Sequence, residues 1–230
     1  DEIRLVRNGS KFEVFINDQA TAQAEDLSVT TLTIDGSRDD DTLIVDFSGG
    51  NPFPTGGIVF NGYTIDPMEM NPPADTGVDS LEFTGGTVSS VGYTFTNATD
   101  GSVALDSNTL TFTGLEPIID NLSATDRVFT YSALDDVIVL GDDGTAANGL
   151  SRISTSGTAE TVDFTTPSGS LTVNMGDGDD SITVSNLDTG TFAVTVNGGA
   201  GADNITGGGG ADLLNGDGED DVIVGSGGDD

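Results

Sequence analysis

At 230 residues with 39 acidic and six basic side chains, the chain carries a net charge of −33: long enough to bury a real core, but a poor partner for nucleic acid or an anionic membrane. Cysteine, histidine and tryptophan are absent, which excludes a disulfide framework, zinc or copper sites of the usual kind, and Ser–His or Cys–His nucleophiles. The acids are 31 Asp and eight Glu; Asp serves turns and cation loops, whereas Glu suits solvated helix surfaces. Self-repulsion opposes a compact state unless counter-ions bind. Hydrophobic residues nevertheless make up 35% and are well phased, so a disordered acidic tail is not expected. No apolar run approaches the length of a membrane-spanning helix, no signal peptide opens the sequence, and Asp1 reads as a cut point within a larger protein.

In chain order, Ile3-Arg4-Leu5-Val6 and Phe12-Glu13-Val14-Phe15-Ile16 alternate with period two around the turn signal Asn8-Gly9, which predicts an antiparallel hairpin. Arg4, Arg7 and Lys11 place half of the positive charge here, in position to pair with acidic neighbours across strands. Leu32-Thr33-Ile34, a polar arc, then Asp41-Thr42-Leu43-Ile44-Val45 follow. The same strand–arc–strand unit returns at Leu171-Thr172-Val173 with Asp180-Ser181-Ile182, and at Val194-Thr195-Val196 with Asp203-Asn204-Ile205. In all three the apolar anchors lie eleven residues apart. Leu110-Thr111-Phe112 with Asp120-Asn121-Leu122 is a looser relative. Asp79, Asp126 and Asp136 precede apolar strands in the same way, at spacings of mostly 38 to 47 residues, so the turns there are larger.

Five prolines and many glycines mark residues 47 to 77 as a long loop carrying little strand. Residues 85 to 115 alternate as half-buried strands through Val91, Tyr93, Phe95, Val103, Leu105, Leu110 and Phe112. No segment has helical periodicity beyond the short candidate Ala20 to Asp26.

The last stretch is the most regular. Gly198-Gly199-Ala200-Gly201-Ala202-Asp203-Asn204-Ile205-Thr206 is followed by Gly207-Gly208-Gly209-Gly210-Ala211-Asp212-Leu213-Leu214-Asn215, by a weaker copy to Val224, and by a truncated one to Asp230. Asp203, Asp212, Asp221 and Asp230 thus recur every nine residues. A strand of about three apolar residues cannot carry a core alone, so such turns must stack on one another. Glycines allow positive φ and bring carbonyls inward. Calcium takes six to eight oxygens, which carbonyls and Asp carboxylates supply.

This segment resembles the RTX, or haemolysin-type calcium-binding, nonapeptide repeat. The resemblance implies side-chain oxygens from Asp203, Asp212 and Asp221, with Gly199, Gly201, Gly208 and Gly210 lining a carbonyl cage. Asp177, Asp179 and Asp180 match the same arc, and Asp230 closes the truncated copy. Asp217 and Glu219 replace two glycines of the third copy and add carboxylates. Asp39 to Asp41 form a weaker match, because Arg38 takes a repeat glycine. Separately, Thr42-Leu43-Ile44-Val45-Asp46-Phe47-Ser48-Gly49-Gly50-Asn51-Pro52 and Gly101-Ser102-Val103-Ala104-Leu105 resemble the tandem units of giant secreted calcium-binding adhesins, which form surface stalks or matrix fibres.

Other chemistry is sparse. Adjacent carboxylates such as Asp135/Asp136 and Asp142/Asp143 are expected by number alone and carry no catalytic motif. A pectate-lyase-like enzyme would need a basic residue in a groove, and Arg38, Arg127 and Arg152 sit in no such motif. The glycine loops lack the Lys and helix of a phosphate cradle. Threonine arrays at Thr30, Thr31, Thr33 or at Thr109, Thr111, Thr113 are the places for ice or carbohydrate binding, though Thr also simply suits a solvated strand.

The expectation is an all-β right-handed parallel β-solenoid, irregular over 1–170 with an N-terminal hairpin and a calcium-binding β-roll over 171–230, the two forming one continuous solenoid. Its expected role is that of a non-enzymatic, calcium-stabilised extracellular unit that stacks head to tail with copies of itself, with cell-surface or matrix polysaccharide as a further partner. The joined ends, Ser226-Gly227-Gly228-Asp229-Asp230 and Asp1-Glu2-Ile3, have the form of the internal arc Gly36 to Val45. The alternative is a folding and secretion module of a secreted polysaccharide-active β-helix enzyme.

Overall fold

The computed structural model describes residues 1–21, 25–28, 30–63 and 77–230, and among these it is all-β, with no helix. The chain opens with β1 (Glu2–Asn8) and β2 (Lys11–Ile16), the expected antiparallel hairpin, with Gly9 at φ +64° in its turn. Short strands β3 (Gln19–Ala20) and β4 (Glu25–Asp26) add to β2. They occupy the ends of the segment that had offered a short helix, whose centre lies outside the described residues.

From there the chain passes between two sheets, one larger and one smaller. β5 (Leu32–Asp35) is in the smaller sheet, β6 (Thr42–Asp46) in the larger, β7 (Ile58–Asn61) in the smaller and β8 (Ser80–Thr84) in the larger. β9 (Thr87–Phe95), β10 (Gly101–Leu105) and β11 (Asn108–Thr113) make an antiparallel meander in the smaller sheet before β12 (Ile118–Asp120) crosses to the larger. β13 (Ser123–Thr130) returns to the smaller. β14 (Val137–Asp142), β15 (Leu150–Thr155) and β16 (Val162–Thr165) make a second meander, in the larger. Alternation is then strict: β17 (Ser170–Asp177), β18 (Ser181–Val184), β19 (Thr195–Ala200), β20 (Asn204–Thr206), β21 (Leu213–Asp217) and β22 (Val222–Val224).

Each crossing strand stacks in parallel on its counterpart one circuit away. β14, β18, β20 and β22 follow one another in the larger sheet, and β13, β17, β19 and β21 in the smaller. Ile182 and Ile205 share a register position with Ile138 and Ile223, so the eleven-residue anchor spacing is the distance from one sheet, around an arc, to the other. The sheets run across residue 170 without a break. The antiparallel meanders depart from the simple parallel expectation. A turn at Asp106 (φ +52°), whose carboxylate accepts the Ser89 and Ser90 amides at 2.9 and 3.0 Å, folds β11 straight back on β10. β7 lies in what the sequence marks as loop; its alternation is only four residues long, but it buries Ile58 and Phe60.

Both inner faces feed one hydrophobic cluster. Where circuits are long, aromatics fill it: Tyr93, Phe95, Phe129, Tyr131 and Phe164 form a connected stack, with Tyr93 and Phe129 centroids 4.9 Å apart. Past residue 170 the circuits shorten and Leu171, Val173, Met175, Val196 and Ile205 suffice. Within the aromatic stretch lies a buried charge. Arg127, fully enclosed, ion-pairs with Asp120, donates to the Thr165 and Leu122 carbonyls at 2.9 and 2.7 Å, and lies over the Phe164 ring. Tyr93 donates its hydroxyl to Asp120 at 2.7 Å. Asp126, grouped by sequence with the strand-leading aspartates, instead lies within β13, where its carboxylate accepts the Ser170 hydroxyl at 2.6 Å.

Removing one partner of a buried pair strands the other charge, so Arg127→Ala is expected to cost about 3–5 kcal/mol. Arg127→Met combined with Asp120→Asn should recover much of that loss in urea denaturation; a single variant with an unchanged midpoint would contradict the assignment.

Candidate cation-binding arcs

The arcs that carry the chain from the smaller to the larger sheet stack into a column. Gly176, Gly199 and Asp217 share one register position. The aspartates that end the arcs tie them together: Asp136 N–H donates to Asp180 Oδ1 at 2.7 Å, Asp180 N–H to Asp203 Oδ1 at 2.9 Å, and Asp203 N–H to Asp221 Oδ1 at 3.0 Å. Asp41 N–H donates to Asp79 Oδ1 at 2.8 Å in the same way. A second column stands on the returning arcs, where Val194 and Asp212 donate to Asp212 and Asp230 carboxylates, each at 2.8 Å. The residues joined by these bonds are 38, 44, 23 and 18 apart, so the circuits shorten toward the nonapeptides while the bond is kept.

The second carboxylate oxygens are the unusual feature. Asp180 Oδ2 and Asp203 Oδ2 are buried and accept no hydrogen bond. Asp203 Oδ2 occupies the space a Cβ on Gly198 would need, and the Gly216 carbonyl lies 2.6 Å from that same point. Gly216 and Gly225 leave the same space for Asp221 and Asp230. Gly199 and Gly201 have φ of +107° and +137°, and a Cβ on either would overlap the Gly176 or Gly178 carbonyl oxygen. Asp217 and Glu219, standing where Gly199 and Gly201 stand one circuit earlier, take φ of +69° and +74°: the bend survives without the glycines, with both side chains exposed.

The remaining sequence candidates divide. Asp212 spends both oxygens, on Val194 and on Gly208 N–H at 2.9 Å, while Gly210 lies close against the Phe192 carbonyl. Asp179 accepts the Ala202 amide at 2.9 Å, and Asp177 is exposed at the arc's outer side. Asp41 is satisfied by Ser37, whose hydroxyl donates at 3.0 Å. Among the described residues no three acidic side chains gather as a ready-made metal site. Any cation held in these arcs therefore draws mainly on carbonyl oxygens, with single carboxylates from Asp180, Asp203 and Asp221. Burial, then the charges of Asp136, Asp203 and Asp135, pushes Asp180 up to about 7; burial, then Asp221, also raises Asp203.

Two features carry no signal that motif reading detects. Asn174, Asn197 and Asn215 form a side-chain ladder, Nδ2 to Oδ1, at 2.8 and 2.7 Å; their repeated place after a Val or Leu was the available clue. Glu116 and Glu160 meet at a cavity of about 350 Å³ also lined by Val78, Ala98, Pro117 and Thr161. Burial, then Glu116 and Asp100, pushes Glu160 up to about 8. Of the threonine arrays, Thr109, Thr111 and Thr113 are exposed along β11, but Val59 interrupts the row between Thr111 and Thr33.

Compared with family models, curated proteins and solved structures, the chain matches none of them.

Gly201→Ala is expected to destabilise by about 3 kcal/mol, since it adds a left-handed penalty to a backbone collision. Gly157→Ala, also at positive φ but in open space, should cost only about 1–2 kcal/mol. Equal midpoints for the two variants in thermal melts would show that the arcs are not closely stacked. Glu160 binds its proton more tightly folded than unfolded, so stability should fall as pH rises from the ordinary carboxylate range to about 8. Glu160→Gln should remove that slope; a slope that persists unchanged in Glu160→Gln would contradict this.

Proposed function

We propose that the chain is a calcium-stabilised structural unit of an extracellular fibre or adhesin stalk, wound as a right-handed parallel β-solenoid that passes into an RTX-type β-roll after residue 170. The observation that carries this reading is the buried, unpartnered Asp203 Oδ2, set beside the Gly216 carbonyl in the space that Gly198 leaves open, with Asp180 Oδ2 one arc earlier likewise buried and unpartnered. A buried carboxylate oxygen with no donor is costly unless a cation faces it. The donor set is all oxygen, carbonyl and carboxylate, which suits calcium over zinc or copper. Asp180, Asp203 and Asp221 would supply the carboxylates of one column and Gly199 and Gly201 the carbonyls; Asp212 and Asp230 with Gly208 and Gly210 would serve the opposite one. Asp177, Asp179, Asp217 and Glu219 add negative potential at the rim.

Bound calcium neutralises charges that folding brings together, so binding energy becomes folding energy; a site at a hundredfold its Kd adds about 2.7 kcal/mol. Such a unit is soft where calcium is scarce and sets outside the cell. Self-association is the matching assembly mode for a unit whose strands stack in parallel from circuit to circuit. β1 has both edges paired, to β6 and to β2, so a neighbouring copy there would meet the hairpin and not β1 itself.

Calcium added to chelator-treated protein should raise the melting temperature and the β-sheet circular dichroism signal, and magnesium should do so poorly. Asp203→Asn should weaken calcium binding measured by calorimetry. Equal protection by magnesium and calcium, or no response to either, would sink the proposal.

A further inference from the structure

Outside the glycine arcs, the corner between β13 and β14 buries another set of oxygens. Asp136 is 1% exposed, and neither of its carboxylate oxygens accepts a hydrogen bond. The hydroxyl oxygens of Tyr131 and Thr158 are also buried and without a partner. Tyr131 stands five residues before Asp136, the place Gly198 holds relative to Asp203, but here a phenol fills the space that glycine leaves open. Burial, then the charge of Asp136, holds the Tyr131 phenol well above its ordinary pKa, as expected for a hydroxyl facing that carboxylate. Thr158, on the loop after β15, sits against Asp136 without a formed hydrogen bond. From the next arc comes Asp180, whose Oδ1 is fixed by the Asp136 amide and whose Oδ2 is free.

No basic side chain compensates this charge. Arg4, Arg127 and Arg152 are paired with Asp46, Asp120 and Asp163. Arg7 donates to the Gly9 and Asn51 carbonyls, Lys11 stands opposite Asp26, and Arg38 lies in the arc before β6. Two adjacent carboxylates and two hydroxyls, with no hydrogen bond formed at these oxygens beyond the one at Asp180 Oδ1, make an oxygen-only enclosure with the wrong charge for an empty space. Water would satisfy a hydrogen bond but leave the charge, whereas a hard cation answers both.

We propose that this corner is a further site for one divalent cation of calcium's size, held by both oxygens of Asp136 and the hydroxyls of Tyr131 and Thr158, with Asp180 Oδ2 shared between it and the adjoining arc. It is built from side chains: Tyr131-Ser132-Ala133-Leu134-Asp135-Asp136 contains none of the repeat glycines. It extends the preceding reading in taking the same class of cation, but it does not depend on the nonapeptides. Its consequence is that cation binding reaches into the aromatic core of the long circuits and locks the β15–β16 loop to the column of arcs.

Terbium(III) tests this directly, because its emission is sensitised only by an aromatic group close by, and no tyrosine follows Tyr131. The full chain titrated with terbium should show tyrosine-excited emission that calcium displaces. Tyr131→Phe, a near-isosteric change, and Asp136→Asn should each reduce it to background, and Asp136→Asn should bind one ion fewer. Asp203→Asn should keep the emission. Emission unchanged in Tyr131→Phe, or none in the parent chain, would overturn the site, even where the arcs bind calcium. Loss of calcium binding in the arcs with this emission intact would instead count against the repeat reading alone. Should Asp136→Asn not fold, the Tyr131→Phe comparison still decides.

Discussion

The structure depends on one hydrogen bond repeated along its length, from the backbone N–H of the aspartate that ends one arc to the carboxylate of the aspartate that ends the next. It does two things at once. It satisfies an amide at the corner where the chain leaves one sheet for the other, where no strand partner is at hand. It also sets register, because a carboxylate can reach that amide only if the following strand starts at the same height. Circuits of very different length are held to one stacking in this way: 38 residues separate Asp41 from Asp79, and 18 separate Asp203 from Asp221. The cost is electrostatic. Each carboxylate has a second oxygen, and burying several in a row with only six basic residues in the chain accumulates uncompensated charge.

Long and short circuits differ in how that cost is met. In the long circuits, protein groups are recruited: Arg127 is carried into the core to meet Asp120, and Arg4 meets Asp46 at the sheet surface. The latter, a partly exposed pair, contributes little to stability, whereas the former is enclosed and its removal exposes the full desolvation penalty. In the short circuits no ion pair among the described residues reaches Asp180 or Asp203, and their second oxygens accept no hydrogen bond. The same change of scale explains the core. Wide circuits need Phe and Tyr to reach the middle, and narrow ones are filled by Leu, Val and Ile, with glycines where a carboxylate takes the place of a side chain.

Much of this was legible in the sequence, and for identifiable reasons. The eleven-residue spacing from Leu171 to Ile182 and from Val194 to Ile205 reflects a fixed path from sheet to sheet, so it survives in the linear chain. The hairpin at Asn8-Gly9 is a local event with a local signature. The β9–β11 and β14–β16 meanders were hidden, because alternation is the same in a parallel and an antiparallel strand, and only the turn chemistry at Asp106 hints at the return. β7 was hidden by the prolines and glycines around it. At the candidate sites, glycine and aspartate phasing located the arcs, but not which carboxylates are already spent: Asp212 is used twice by amides, and Asp203 only once. The enclosure at Asp136 left no trace in the sequence, since Tyr131, Asp136 and Thr158 converge from an arc and a loop with no repeat between them.

The central claim is that cations hold the arcs in register by neutralising the free oxygens of their aspartates. Hydrogen exchange measured residue by residue, with and without calcium, addresses it most directly, since the amides of Asp180 and Asp203 are themselves the donors of the register-setting bonds. Strong calcium-dependent protection at these amides, with little change in β6 and β8, is the result expected. Equal protection of the Asp180 and Asp203 amides with and without calcium would contradict the claim.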